Sequence, residues 1–220
     1  MADRPILFSG PMVRAILEGR KSQTRRVIST AERKTRPNLF DGTWSDSYVL
    51  DPGNASWREQ EYPWRVGDRL YVRETWKPHS IYAHLPPRDM PRAAVFYAAD
   101  ERYAPSNTPW KPGIHMPRWA SRITLNVTDV RVQRLQEISD DDADAEVFGG
   151  DYPHRVLPEL FPDADEAGRH SLPECFSRLW DSINAARGYG WETNPWVVAI
   201  TFDAIRQNID AGRSALTQGE

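Results

Sequence analysis

The chain has 220 residues, 40% of them apolar, and a formal net charge of −3 at pH 7. This length and apolar content can bury a sizeable core, and the acidic balance argues against a protein that binds long polyanions non-specifically. No apolar stretch reaches the roughly 18 residues that a membrane span needs, and the N-terminus lacks a signal-like apolar region, so we expect a cytoplasmic protein.

The first predicted element is a short helix between Ser9 and Gly19. Ser9 is a suitable N-cap, Pro11 falls in the first turn, and apolar residues then recur at helical spacing as far as Leu17. Gly19 suits the left-handed backbone in which many helices end. We therefore expect the helix to stop at Gly19.

Cations crowd the residues after this stop. Lys21 is one of only four lysines in a chain with 24 arginines, and it stands three positions before Thr24. Arg25 and Arg26 follow directly, and residues 23–28 are predicted to run extended, so that Lys21 and Thr24 can converge on one pocket. A lysine acts as a base only in its neutral form, which burial or neighbouring cations favour. The alternative is that these cations cap the helix and line a solvated strand.

A second strand is predicted at 69–76, after a Gly-Asp turn. Alternate positions put four side chains on one face of this strand: Leu70, Val72, Glu74 and Trp76. A carboxylate among apolar side chains usually needs a cationic partner, so we expect Glu74 to meet the cluster of Lys21 and Arg26. The alternative is a buried ion pair with a structural role alone.

Further strands are predicted at 93–98, 123–132 and 196–202. The Pro-rich or acidic stretches that separate the regular elements are too long for plain hairpin loops, so we interpret three of them as insertions: 29–64, 77–118 and 147–170. Some are expected to pack over the pocket, although disorder in 29–60 is an alternative. Residues 1–205 are then one elaborated domain, and the polar residues 206–220 are expected to fray.

Two further helices are indicated by their capping signals. Ser171 opens a capping box before apolar residues at helical spacing, and Gly188 ends that helix. Ser139 with Asp142 marks a similar start, which puts Glu146 in the second turn of a short helix. The alternative for this second helix is an acidic face in solvent.

Residues near the later strands are candidates for substrate contacts. Arg118 and Arg122 precede the long strand, and their guanidinium groups can hold a phosphate or pair with Glu74. Asn194 can read a base edge, although an Asn-Pro turn is the simpler interpretation. Three tryptophans are candidate stacking surfaces for bases, with a core position as the alternative: Trp76, Trp119 and Trp196.

Metal-ligating residue types show no site pattern. Cys175 is the sole cysteine and the five histidines lack ligand spacing, so we expect no disulfide, no metal and no other cofactor. The charge is uneven, since residues 14–36 hold eight cations against two carboxylates and residues 137–174 hold twelve carboxylates against two arginines. A local basic face of this kind suits a nucleotide or a short RNA segment better than a long duplex.

Two motifs together resemble the signature of the ASCH family, small β-barrel domains related to PUA RNA-binding modules. The motifs are GRKSQTRR and VGDRLYVRETW, and the matching positions are Gly19, Lys21, Thr24, Arg26, Gly67 and Asp68. The opening from Pro5 onward, IHMPRWASRITLNVTDVRV at 114–132 and NPWVVAITF at 194–202 resemble the longer form common among phage and prophage proteins. The resemblance implies an α+β fold, a PUA-like barrel with flanking short helices and long loop insertions.

The resemblance also implies an activity. The best understood small members are amidohydrolases that remove the acetyl group from N4-acetylcytidine with a Lys, a Thr three residues later and a Glu on a later helix. By resemblance Lys21 and Thr24 occupy the first two positions, and ISDDDADAE at 138–146 nominates Glu146 for the third, with Glu74 as the rival carboxylate. The implied reaction is deacylation of an N4-acylated cytidine or a related modified pyrimidine nucleoside. Thr24 attacks the amide carbonyl, neutral Lys21 accepts its proton, and Arg26 stabilises the oxyanion.

Two other functions stay open at this point. In a non-catalytic RNA- or nucleotide-binding module, Arg25 and Arg26 grip phosphates and the tryptophans stack bases. A ribonuclease is the third possibility, since some ASCH domains are reported to cut RNA. The expected partner is therefore a modified nucleoside or RNA, and not a membrane.

Overall fold

The structure is a computed structural model that describes residues 1–29, 38–91, 95–100, 107–149 and 171–211. The strands of these residues are β1 Asp3–Leu7, β2 Gln23–Val27, β3 Arg69–Arg73, β4 Trp76–Pro78, β5 Val95–Tyr97, β6 Thr124–Arg134 and β7 Trp196–Ile205. The helices are α1 Gly10–Leu17, α2 Asp46–Leu50, α3 Ala55–Arg58, α4 Asp140–Ala143 and α5 Leu172–Asn184, with a π-helical turn at Asp144–Phe148 and several short 3-10 turns. The fold is mixed α+β, as the sequence predicts.

The described strands form an open sheet and a separate two-stranded ribbon. The larger sheet has the order β1-β3-β6-β7-β2, and β4 pairs with β5. Strand β1 runs parallel to β3, whereas β3 with β6 and β2 with β7 are antiparallel. The predicted barrel is wrong, because β1 and β2 lie at opposite edges of the sheet. The chain leaves the large sheet after Arg73, and its continuation β4 adds to the ribbon instead of closing the sheet.

The strand predictions hold in position but not in extent. The strand predicted at 69–76 divides into β3 and β4, and the strand predicted at 93–98 is described only from Val95 onward, as β5. Strand β1 was missed, because Asp3–Leu7 is short and lies beside Arg69–Arg73 only through a pairing more than sixty residues away in sequence. Such pairings leave no local pattern in the sequence.

The chain divides into two compact units. The first consists of Met1–Ser22, Gly67–Thr128 and Phe202–Glu220, and the second of Gln23–Val66 and Asp129–Thr201. Strands β6 and β7 each contribute residues to both units. Among the described residues, no helix is long and apolar enough to span a bilayer. The same residues contain no group of three or more histidine, cysteine, aspartate or glutamate side chains arranged to hold a metal ion.

The first unit has a core cluster to which the ribbon contributes aromatic side chains. Trp76 and Met116 are fully buried there, with Met90, Ala120 and Tyr97 packed around them. Residues 206–211, which the sequence assigned to a frayed tail, are anchored in this unit. The amide of Asn208 donates to the carbonyls of Arg118, Trp119 and Ser121 at 3.0, 3.2 and 2.7 Å. Residues 212–220 lie outside the described residues.

The second unit is built around α5. The hydroxyl of Ser171 accepts a hydrogen bond from the backbone N–H of Glu174, and the carboxylate of Glu174 accepts one from the backbone N–H of Ser171, so the predicted capping box is confirmed. Buried residues of α5 pack against residues of β7 and of the segment that follows β6. The cluster consists of Leu135, Ile138, Ala143, Val147, Cys175, Phe176, Trp180 and Val197. Gly188, with φ of 82°, ends the 3-10 turn that follows the helix.

The described parts of the predicted insertions contain short helices and turns. In the second unit the rings of Trp44 and Tyr48 stack with centroids 4.7 Å apart, and Trp57 meets Trp44 edge to face at 5.6 Å. The guanidinium group of Arg134 binds both carboxylate oxygens of Asp46 at 3.0 and 2.7 Å. These contacts order α2 and α3 on the unit. The rest of the predicted insertions, at 30–37, 92–94, 101–106 and 150–170, lies outside the described residues.

Candidate active site

The end of α1 fixes the backbone of Lys21. Gly19 has φ of 80°, a left-handed conformation that costs a glycine nothing. The backbone N–H groups of Arg20 and Lys21 both donate to the carbonyl of Ala15, at 2.9 and 3.1 Å. The helix therefore stops where the sequence predicts, and the chain turns inward directly after it.

Lys21 is 2% exposed and borders a cavity in the first unit. The cavity has a volume of about 340 Å³. Its apolar wall includes Ile16, Ile123 and Phe202, and its polar lining includes Glu18, Ser22, Asp203 and Arg206. The Nζ atom of Lys21 lies 5.8 Å from the centre of the Phe8 ring, and Phe8 packs edge to face on Phe202. A lysine buried beside aromatic rings is uncommon, because burial of a charged amine costs free energy.

Glu74, in the same unit, is 1% exposed and lies with the apolar face that the sequence predicts. Arg122 binds both of its carboxylate oxygens, with Nε at 2.9 Å and Nη2 at 3.0 Å. Arg122 also binds Asp100 at 2.6 Å, and its guanidinium group lies 4.0 Å from the ring centre of Tyr97. Glu74 is therefore paired with Arg122, which confirms one of the two alternatives for Arg122, and the expected pairing with Lys21 and Arg26 is wrong.

Burial around this ion pair shifts the pKa values of Glu74 and Tyr97. Burial, together with the charge of Asp100, raises the pKa of Glu74 by more than the hydrogen bonds and charge of Arg122 lower it. Burial also raises the pKa of Tyr97 to about 12, and its hydroxyl donates to the carbonyl of Ala120 at 2.8 Å. These features agree with the structural alternative for Glu74.

The second unit holds the residues that follow Ser22. Strand β2 pairs with β7, with Thr24 opposite Ile200, and Thr24 is buried. Arg26 is half-buried, and burial lowers its pKa, with the charge of Glu146 opposing this shift and that of Arg187 adding to it. Strand β2 is therefore not a solvated strand lined by cations, which was the alternative to a pocket.

Arg25 is buried between two carboxylates of the second unit. Its Nη2 donates to Asp142 at 2.7 Å, and its Nη1 donates to Glu146 at 3.2 Å and to Gln23 at 2.5 Å. The guanidinium group also lies 5.9 Å from the ring centre of Phe176. Arg25 is thus committed to internal partners and does not present its charge to a phosphate.

Glu146 stands in a helical segment that begins as the sequence predicts. Ser139 accepts a hydrogen bond from the backbone of Asp142 at 3.2 Å and so caps α4. The segment then widens into the π-helical turn, which ends at Gly149 with φ of 55°. Glu146 is 3% exposed, so it does not belong to a solvated acidic face. A π-helical turn is rare and frequently marks a functional site.

Most of the other predicted contact residues have structural roles. Trp76 is fully buried and Trp196 is 3% exposed, so neither ring is a surface on which a base can stack. Trp119 is half-buried, and its indole N–H donates to the carbonyl of Pro87 at 2.9 Å. Arg118 binds Asp210 through Nη2 at 2.6 Å and Asp3 at 2.5 Å.

Asn194 forms the turn that precedes β7. Its backbone is left-handed, with φ of 41° and ψ of 55°, and its side-chain oxygen accepts a hydrogen bond from the backbone N–H of Gln136 at 2.9 Å. Its own carbonyl accepts one from Arg134 at 3.3 Å. This geometry fits an Asn-Pro turn, the simpler of the two interpretations of Asn194.

Several residues of these clusters were missed in the sequence. Phe8, Asp203 and Arg206 reach the surroundings of Lys21 from distant segments, and no local pattern announces them. Asp142 does carry a signal, because it precedes the predicted site residue Glu146 by four positions and residues four apart share one face of a helix. Lys21 and Glu74 belong to the first unit, whereas Thr24, Arg25, Arg26 and Glu146 belong to the second. That Lys21, Thr24 and a glutamate share one pocket stays a prediction.

Comparisons with known proteins give little beyond these observations. No family model matches the chain, and no curated protein matches it. Among solved structures, a protein of Enterococcus faecalis described under the family model DUF984 is 11% identical with a TM-score of 0.42, over 95% of this chain and 83% of that one. An ASCH domain from Lactobacillus crispatus is 13% identical with a TM-score of 0.37, over 92% of this chain and 79% of that one. An ASCH domain is thus among the solved structures similar to this chain, at a similarity too low to carry a further conclusion.

Proposed function

We propose that this chain is an ASCH-type amidohydrolase that deacylates an N4-acylated cytidine or a related modified pyrimidine nucleoside. The observation that carries the proposal is the position of Lys21, which is 2% exposed and borders a cavity walled partly by apolar side chains. A lysine that serves as a base needs an environment of this kind, because burial disfavours the charged amine in general. The ASCH resemblance of the flanking motif supplies the reaction.

The cavity volume supports a small ligand. At about 340 Å³ it lies at the lower end of the roughly 300–1,000 Å³ typical of small-molecule pockets. A single nucleoside is of this size, whereas a polynucleotide needs an extended groove. The polar lining, with Glu18, Ser22 and Asp203, offers hydrogen-bond acceptors for amine and hydroxyl groups.

The proposed chemistry has two stages. The hydroxyl oxygen of Thr24 attacks the amide carbonyl carbon, and its proton passes to the neutral amine of Lys21. Arg26 stabilises the negative charge on the carbonyl oxygen. The C–N bond then breaks, the exocyclic amine leaves with the proton from Lys21, and the acyl group stays on Thr24 as an ester. Water hydrolyses this ester, which releases the carboxylic acid and restores Thr24.

Of the two candidate carboxylates, Glu146 fits this chemistry better. Both carboxylate oxygens of Glu74 are held by Arg122 in a bidentate pair, which leaves that glutamate poorly placed to orient a lysine or to transfer a proton. Glu146 is the position that the ASCH resemblance nominates, and it stands in a π-helical turn. We assign to Glu146 the role of orienting Lys21, or of protonating the leaving amine by relaying the proton that Lys21 took from Thr24.

The test compares two lysine-to-arginine variants. Lys21→Arg keeps the positive charge but introduces a group that does not deprotonate near neutral pH, so we expect turnover of N4-acetylcytidine to fall by roughly a hundredfold or more. Lys77→Arg is the matched control, because Lys77 is also a buried lysine of the first unit and its amine lies over the Trp110 ring at 4.6 Å. Deacylation is followed by absorbance, and thermal melting shows that both variants fold.

The outcomes separate the candidate functions. Equal turnover in wild type and Lys21→Arg would remove Lys21 from the mechanism. An absence of turnover by the wild type across a panel of acylated nucleosides would reject the amidohydrolase. In that case, retention of intact RNA would favour the binding module, and shortening of RNA would favour the ribonuclease.

A further inference from the structure

Arg25 itself has no role in the chemistry proposed above. The side chain of Arg25 is 0% exposed, and its charge is directed at two carboxylates of the same unit, Asp142 and Glu146. A buried cation of this kind is a costly feature, because it must be compensated fully by its partners. Its place on β2, one position after Thr24, calls for an explanation.

The contacts of Arg25 distinguish its two carboxylates. Asp142 is also held by Gln23 at 2.9 Å and by Arg131 at 2.8 Å. Burial acts to raise the pKa of Asp142, but the bonds from Gln23 and Arg131 and the charge of Arg25 outweigh it, so that pKa lies below its ordinary value. Asp142 is therefore a fixed anion that holds one arm of the guanidinium group. The other arm, Nη1, is left to bind Glu146 and Gln23.

The helical segment explains why one guanidinium group reaches both carboxylates. Asp142 and Glu146 are four residues apart and lie on one face of the segment that runs from α4 into the π-helical turn. The planar guanidinium group has donors in a rigid fork, so a clamp on Asp142 also fixes where Nη1 lies. The direction of the Glu146 carboxylate is then set by strand β2.

We propose that Arg25 is a positioning residue that holds the Glu146 carboxylate in its working orientation through a guanidinium group anchored on Asp142. The proposal rests on the proposed function, since it assigns Arg25 a role in that reaction. Arg25 does not touch the substrate, and its effect on turnover passes through Glu146. A displacement of about 1 Å at a catalytic group can cost on the order of a hundredfold in rate.

The test is a double-mutant cycle on turnover with Arg25→Gln, Glu146→Gln and the double variant. We expect Arg25→Gln to lower kcat roughly ten- to a hundredfold with KM changed by less than about threefold, because the substrate contacts stay in place. In the Glu146→Gln background the same change should cost less than about twofold, because the group that Arg25 positions is already absent. Arg25→Lys, which keeps the buried charge, serves in the same cycle if Arg25→Gln does not fold.

Arg134→Gln is the matched control. Arg134 is another arginine of the second unit that binds a carboxylate through two nitrogens, but its partner is Asp46, which has no place in the proposed positioning of Glu146. We expect the kcat of Arg134→Gln to stay within about twofold of the wild type. If the losses from Arg25 and Glu146 multiply independently, or if Arg25→Gln leaves kcat unchanged, Arg25 is not a positioning residue. If the wild type shows no turnover at all, the proposed function itself is rejected, and the role of Arg25 is rejected with it.

Discussion

Arg122 and Glu74 show how one buried pair decides the chemistry available to a residue. Both are in the first unit, and Glu74 is 1% exposed while Arg122 retains partial contact with solvent. A carboxylate at this position without a cationic partner would be a candidate catalytic group, because burial raises its pKa. The bidentate contact with Arg122 makes a structural role the better explanation.

The pH dependence of stability tests the state of Glu74. Its pKa is raised above the ordinary value of 4.5 in the folded protein, so the folded state binds the proton more tightly than the unfolded state. The stabilisation from this group is complete below pH 4.5 and is lost as the pH rises through the raised pKa. We expect the free energy of unfolding of the wild type to fall relative to Glu74→Gln over that interval, by at most about 1.4 kcal/mol per pH unit. Urea unfolding of both proteins at several pH values measures the difference, and a wild-type advantage that grows with pH would contradict it.

Removal of Arg122 should be far more costly than removal of an exposed arginine. Arg122→Ala leaves the Glu74 carboxylate buried without its cation, which typically costs about 3–5 kcal/mol. Arg131→Ala, which removes an arginine that is 46% exposed, should cost less than about 1 kcal/mol. Chemical denaturation gives both values. A loss at Arg122 no larger than that at Arg131 would show that the Glu74 pair contributes little.

At the scale of elements, the sequence predicts segments better than it predicts their partners. The stop of α1 at Gly19 and the capping box at Ser171 are confirmed, because both depend on residues within one turn of each other. The open sheet, the parallel pairing of Asp3–Leu7 and the division of 69–76 depend on contacts between distant segments. Such contacts are set by packing and leave no period in the sequence.

The candidate site follows the same rule. The burial of Glu74 is predictable, because alternation along β3 and β4 gives the face on which its side chain lies. The identity of its partner is predictable only in part, because Arg122 is one of the alternatives that the sequence offers, but it is 48 positions away and no local pattern selects it over Lys21 and Arg26. Arg25 was expected to contact substrate because it is a cation in the motif, and the contacts with Asp142 and Glu146 could not be foreseen from β2 alone.

Two serine N-caps offer a matched test of capping at the element scale. The side chain of Ser171 accepts a hydrogen bond at the start of α5, whereas Ser9 precedes α1 without a side-chain capping bond. We expect Ser171→Ala to lower the free energy of unfolding by about 1 kcal/mol and Ser9→Ala to change it by less than about 0.5 kcal/mol. Urea denaturation followed by circular dichroism measures both. Equal losses would mean that the side-chain capping bond of Ser171 does not govern helix stability here.

At the scale of the whole molecule, charge pairing argues for a small ligand over a polyanion. The chain carries a net charge of −3. Many arginines of the described residues form ion pairs with carboxylates, as seen for Arg4, Arg20, Arg25, Arg65, Arg69, Arg88, Arg118, Arg122, Arg131 and Arg134. A cation already paired with a carboxylate gains less from a phosphate, because the carboxylate must first be displaced. These residues therefore do not amount to an extended phosphate-binding surface.

RNA binding and its salt dependence test this argument. A protein that neutralises several phosphates of single-stranded RNA loses affinity steeply with salt, with a slope of about −0.7 per phosphate on logarithmic axes. We expect the wild type to bind a labelled single-stranded RNA weakly, with a slope between zero and about −1 from about 50 to 200 mM KCl. Arg25→Lys should leave that slope unchanged, because the side chain of Arg25 is 0% exposed and faces Asp142 and Glu146. Fluorescence anisotropy titrations give the affinities. A slope of about −3 or steeper would mean that the chain grips at least four phosphates, and it would favour the RNA-binding module over an enzyme for a free nucleoside.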